Sequence, residues 1–131
     1  MNWVLLSFLH CDVPCGIYET DSMTHAADTV EKMVEKIQAI PDPMGVEGRN
    51  TFVRMIQTKE EFAKKCKEEI LILWTDYFKA EHLQKFPELH EKVWKAAKLC
   101  SEAKRSVNME KAQQLKKAVA EIAEIFRKSK Q

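Results

Sequence analysis

"MTHAADTVEKMVEKI", Met23 to Ile37, places apolar side chains at Met23, Ala27, Val30, Val34 and Ile37, a return every three or four residues. That interval matches the α-helical turn, so the five side chains form one stripe, with Lys32, Glu35 and Lys36 among the polar positions between them. The spacing predicts an amphipathic helix capped by Asp21 or Ser22 and ended near Ile40 by "IPDPMG".

The period continues downstream. A second helix is expected from about Asn50 to about Phe78, carrying Phe52, Ile56, Ala63, Cys66, Ile70, Leu73, Trp74 and Tyr77. Within it "TKEE" has capping-box spacing, Thr58 to Glu61, and marks a point where the helix could break. Pro87 suits the first turn of a third helix, which presents Leu89, Val93, Ala96, Ala97 and Cys100. Asn108 can cap a fourth, with Ala112, Leu115, Val119, Ile122 and Phe126 as its stripe. Four amphipathic helices with short connections imply an all-α fold, a four-helix bundle preceded by an irregular N-terminal segment.

A chain of 131 residues suits one domain and buries roughly two thirds of its unfolded surface. Three glycines, four prolines and 31% charged residues agree with a charged helical protein. Its 21 basic and 20 acidic side chains leave a formal net charge of +1, so no broad electrostatic pull on nucleic acid or an anionic membrane is expected. The apolar leader "MNWVLLSFL", residues 1–9, falls far short of the roughly 20 residues a spanning helix needs. It also lacks the basic start and the small residue before the cut that an export signal requires, so a cytoplasmic location is expected. Cys66 and Cys100 have apolar neighbours at helical spacing and read as small buried hydrophobes.

The bundle specifies a scaffold and little chemistry; by itself it could be an interaction module. The chemistry lies in "HCDVPCGIY", His10 to Tyr18. If the leader is removed, the His10 amine, the peptide nitrogen of Cys11 and the Cys11 thiolate can close two fused chelate rings in one plane, because the intervening peptide is planar. Cys15 can supply a fourth donor, and the His10 imidazole an axial one. Planar N/S sites favour Cu(II) or Ni(II) over zinc. Pro14 restricts the chain before Cys15 and Gly16 permits a backbone turn that a side chain would hinder. On spacing alone, an ordinary loop with two idle thiols is an equal reading, since C-x3-C is not the usual zinc pattern. A helical metal-binding or thiol-redox module that retains its leader, or a bundle that docks through that leader, also remains open.

"HCDVPCGIY" resembles the amino-terminal nickel hook of the nickel superoxide dismutase family, and "LWTDYFKAEHLQKFPELH", Leu73 to His90, is similar to that family's other recognisable segment. The likeness extends from His10 to the C-terminus. It implies removal of residues 1–9 by a leader-processing protease, leaving 10–131 as a single hook-and-bundle domain. It further implies one nickel ion per subunit, held by the His10 amine and imidazole, the backbone nitrogen and thiolate of Cys11, and the Cys15 thiolate. Asp12 and Tyr18 would brace the hook and limit access to the metal, completing a catalytic set of His10, Cys11, Asp12, Cys15 and Tyr18. Superoxide would be the substrate, converted to dioxygen and hydrogen peroxide by Ni(III)/Ni(II) cycling, with Tyr18 or water as the proton route. Trp74, Asp76 and Tyr77 would support the hook, and the assembly would be a homohexamer. An ungapped comparison places an arginine of the family near Phe62, where this chain has an apolar ring. His82 and His90, with Glu81 and Glu88 nearby, lack the compact spacing of a two-histidine metal face and read as surface or interface residues. His25 receives no role.

Overall fold

The computed structural model describes residues 16–42 and 45–131. Helix α1 spans Asp21–Gln38, α2 Val46–Ile72, α3 Ala80–Lys85, α4 Leu89–Arg105 and α5 Met109–Ser129. Four of these are long; α3 is a six-residue helix between α2 and α4 that the apolar period did not reveal. A π-helical turn, Leu73–Tyr77, continues α2. Among the described residues there is no strand, and no helix is long and apolar enough to cross a membrane.

Most of the expected stripe residues are buried, while Phe52, Ile56, Trp74, Tyr77 and Ala97 are half-buried. Met23, Ala27, Val30, Val34 and Ile37 of α1 face inward, as do Ala63, Cys66 and Ile70 of α2, Leu89, Val93, Ala96 and Cys100 of α4, and Ala112, Leu115, Val119, Ile122 and Phe126 of α5. Each large aliphatic side chain removed from water this way contributes about 1.5–3 kcal/mol before entropy is charged against it. Helix α1 packs on α2 and α5, and α4 on the same two, closing a four-membered ring of helices.

Cross-helix pairs show that neighbours run antiparallel. His25 near the start of α1 meets Phe62 late in α2. Trp74 after α2 meets His90 at the start of α4, whereas Lys59, earlier in α2, meets Ala103 near the end of α4. Ion pairs continue the order: Lys92–Glu121 at 2.7 Å and Lys111–Glu102 at 3.0 Å join α4 to α5, and Lys116–Glu31 at 3.0 Å joins α5 to α1.

Several helix ends differ from the sequence expectation. Neither Asp21 nor Ser22 caps α1; Thr20 occupies the cap without a side-chain bond, and the Glu19 carboxylate accepts the Ser22 N–H at 2.8 Å. Helix α2 begins at Val46, four residues before Asn50, and does not break at Thr58. There the hydroxyl donates to the Arg54 carbonyl at 2.9 Å, a bond within a continuous helix rather than a cap. Pro87 lies in the turn before α4, whose cap is Glu88. Asn108 does cap α5, accepting the Lys111 N–H at 3.0 Å.

One buried residue contradicts its own chemistry. Lys59 is only 2% exposed, and its ammonium donates to the carbonyls of Ala103 at 2.8 Å and Lys104 at 2.6 Å. Those carbonyls belong to the last turn of α4 and have no intrahelical partner, so a lysine of α2 caps α4 from the side. Burial pushes the Lys59 ammonium below the usual lysine range.

Candidate functional site

The described chain resumes immediately after Cys15. Gly16 has φ 69°, and among the described residues it alone occupies the left-handed region. A side chain there would cost about 1–2 kcal/mol, which explains a glycine between Cys15 and the bundle. Ile17 is then 74% exposed, and Tyr18 turns inward, half-buried against the core.

Tyr18 rests on Tyr77, with ring centroids 5.4 Å apart and planes tilted by 55°. Tyr77 ends the π-helical turn, where the Phe78 N–H reaches the Leu73 carbonyl at 2.9 Å across one residue more than an α-helix allows. Such a widening changes the direction of the side chains beyond it and recurs at functional sites. Tyr77 is boxed by Phe126 at 4.7 Å, Phe78 at 5.1 Å and a stacked His82 at 5.5 Å. Its hydroxyl lies 2.7 Å from the Ser129 hydroxyl. Ser129 spends its own proton on the Phe126 carbonyl at 2.6 Å, so Tyr77 is the donor to Ser129. Tyr77 is thus a fixed post built from α2's extension, α3 and α5, and Tyr18 leans on it.

The other residues of this segment turn elsewhere. Trp74 donates its indole N–H to Nδ1 of His90 at 2.8 Å, with the rings edge to face. Asp76 is half-buried beside Thr75, whose hydroxyl gives its proton to the Leu71 carbonyl at 2.7 Å. His82 accepts the Lys79 N–H at Nδ1, 2.9 Å away. Both histidines therefore use Nδ1 as an acceptor within the fold, and among the described residues no group of three or more His, Cys, Asp or Glu could hold a metal ion. Phe62 is half-buried, edge-on to His25 at 5.9 Å and beneath the Lys65 ammonium at 5.8 Å, so an aromatic and a cation–π contact hold its ring.

Glu19 anchors the start of α1 next to Tyr18. Its burial opposes ionisation, but hydrogen bonds from Ser22 and from the Asp21 backbone, together with the Lys65 charge, outweigh that and hold its carboxyl below the usual value. Sequence reading missed Glu19, His82, Phe126 and Ser129 as parts of this corner. The available signal was aromatic density: "LWTDYF" and "IFRKS" supply three rings and a hydroxyl that meet at one end of the bundle.

The leader and the expected residues His10, Cys11, Asp12 and Cys15 lie outside the described residues. The described residues directly after Cys15 provide a glycine turn, an aromatic post and a helix start held by Glu19.

The family described as nickel-containing superoxide dismutase matches residues 7–130. The nickel superoxide dismutase of Streptomyces coelicolor is 35% identical over 121 residues, 92% of this chain and 88% of that protein; that of Streptomyces seoulensis gives the same figures. The native nickel superoxide dismutase structure superposes with a TM-score of 0.82 at 34% identity, covering 93% of this chain and all of that one. A nickel superoxide dismutase structure whose ligation corresponds to the oxidised state gives 0.81 at 35% identity, covering 92% and 98%.

Proposed function

The chain belongs to the nickel-containing superoxide dismutase family and is an oxidoreductase acting on superoxide with a nickel ion, and we propose that its metal is held by His10, Cys11 and Cys15 once residues 1–9 have been removed. The donor chemistry fits the metal. Two thiolates, an ionised peptide nitrogen and a terminal amine would make a strongly donating N/S set, and such a set favours nickel or copper over zinc. Thiolates must be deprotonated to bind, so metal should be lost as the pH falls.

Nickel, when bound, supplies reversible one-electron exchange between its III and II states. Over one cycle two superoxide ions and two protons become dioxygen and hydrogen peroxide. The chain's part is to shape, guard and feed that reaction. Pro14 and Gly16 fold the segment so that both sulfurs lie on one side. Asp12 braces the turn, while Tyr18 narrows the approach and offers its hydroxyl as a proton source.

The observation that carries this reading is the Tyr18–Tyr77 contact directly beyond Cys15, in a family match that runs through the hook. A hook fixed at its exit loses less freedom on closing round a metal than one on a free tail. Assembly as a homohexamer in the cytoplasm, after cleavage by a dedicated protease, completes the proposal. Exposed Val46, Val53 and Trp94 are apolar side chains that such an assembly would cover.

Nickel content by elemental mass spectrometry tests the ligand set. Protein beginning at His10 should bind one nickel per chain, and protein retaining Met1 to Leu9 should bind none after passage over a chelating resin. Equal retention by both would refute the role of the His10 amine.

A further inference from the structure

The proposed nickel site leaves two cysteines unused. Cys66 of α2 and Cys100 of α4 are both free and buried, and they meet across the seam between these helices. The Cys66 thiol donates to the Met23 carbonyl at 3.6 Å, and the cross-helix bonds Lys59–Ala103 and Lys67–Ser101 on either side of the pair set Cys66 beside Cys100. The neighbouring Cys100 thiol and burial push the Cys66 thiol up, so it keeps its proton at neutral pH. Cys100 also lines a groove of about 290 Å³ between α2 and α4, together with Ala63, Lys64, Lys67, Ser101 and Lys104. The Lys67 ammonium is fixed in that groove by its bond to the Ser101 hydroxyl at 3.2 Å. Met23 lies in the first turn of the helix that leads out of Tyr18 and the hook, so the dithiol lies directly beneath that lead-in.

We propose that Cys66 and Cys100 form a peroxide-oxidisable dithiol that closes to a disulfide between α2 and α4. The oxidant is hydrogen peroxide, and its supply by the protein itself rests on the dismutase reading. In the first step the Cys100 sulfur attacks one peroxide oxygen and the O–O bond breaks; the departing hydroxide takes the thiol proton and leaves as water. The Lys67 ammonium in the groove stabilises the charge on that leaving oxygen. In the second step the Cys66 sulfur attacks the sulfenic sulfur, the S–O bond breaks, and the Cys66 proton goes with the hydroxyl as a second water. Two thiols are oxidised and one peroxide is reduced. Because the second thiol lies on the facing side of the same seam, condensation precedes a further peroxide attack, which would carry Cys100 irreversibly to sulfinic acid. The product fastens two helices beneath the start of α1.

The full-length protein is treated with hydrogen peroxide, blocked with iodoacetamide in denaturant, digested without reduction and mapped by mass spectrometry. The expected result is a Cys66–Cys100 linked peptide that increases with peroxide dose and disappears on addition of dithiothreitol. In Cys66→Ser the link should be absent and Cys100 should be recovered as sulfenic or sulfinic acid. Recovery of both cysteines as alkylated thiols at a dose that oxidises Cys11 and Cys15 would overturn the proposal. So would links from Cys66 or Cys100 to the hook cysteines, or separate oxidation of the two in the unsubstituted protein. The linked peptide is read in that protein, so a variant that fails to fold does not remove the test. Peroxide is added directly, so an inactive or nickel-free preparation gives the same answer.

Discussion

Lys59 fills a position that the period of α2 turns inward, between Ile56 and Ala63, and its ammonium reaches two carbonyls left over at the end of α4. Replacing it by methionine keeps the volume and removes the donor. Lys59→Met should therefore lower stability by about 1–3 kcal/mol, the cost of stranding buried carbonyls, as read from the urea midpoint; an unchanged midpoint would show that water caps α4 equally well. Gly16→Ala forces a side chain into the left-handed region, and should cost about 1–2 kcal/mol of hook closure, seen as faster nickel loss to a chelator. Glu19 carries a pH dependence with a definite sign. Its folded carboxyl lies below the usual 4.5, so the stability it gives is complete above that value and is lost as the pH falls through the lower folded value. Glu19 is largely exposed, so Glu19→Gln should cost under about 1 kcal/mol at neutral pH and flatten the acid limb of a midpoint-against-pH series. An acid limb as steep as that of the unsubstituted protein would place the effect elsewhere.

Among the elements, the π-helical turn after α2 does most to connect scaffold to site, because it sets Tyr77 where Tyr18 can rest on it. Tyr77→Phe keeps the ring and loses only the bond to Ser129, about 1 kcal/mol, and should retain nickel. Tyr77→Ala removes the post and should release nickel to a competing chelator at least tenfold faster; equal rates for the two variants would mean that the hook holds itself. The long helices were legible from their stripes, since a period of three to four apolar residues survives any choice of loop. The π turn was not, because one extra residue per turn leaves composition and period almost unchanged. Lys59 was legible in position and hidden by identity: the interval from Ile56 through Ala63 and Cys66 to Ile70 points residue 59 inward, yet its charge argues outward. Helix ends failed for a local reason. Glu19 caps α1 from outside the expected window, and "TKEE" meets every sequence requirement of a cap inside a helix that tertiary packing carries through. At the candidate site, "HCDVPCGIY" pointed to nickel only through its resemblance to a family, whereas the Ser129, Phe126 and His82 contacts of Tyr77 lie about fifty residues away in sequence or across a turn no pattern marks.

At the scale of the whole molecule, the closed antiparallel ring of α1, α2, α4 and α5 brings the start of α1, the end of α2 and the end of α5 to the same corner. Gly16 to Tyr18 lie at that corner, so under the proposed ligand set the bundle's topology limits where the nickel donors could stand, while the donors themselves would depend on removal of residues 1–9. The most direct measurement compares dismutase rates of two proteins, one starting at His10 and one carrying Leu9 as its only additional residue, each assayed in the same excess of nickel. The account predicts full activity for the first and loss of at least a hundredfold for the second, because one extra peptide bond turns the terminal amine of His10 into an amide. Equal rates would contradict it.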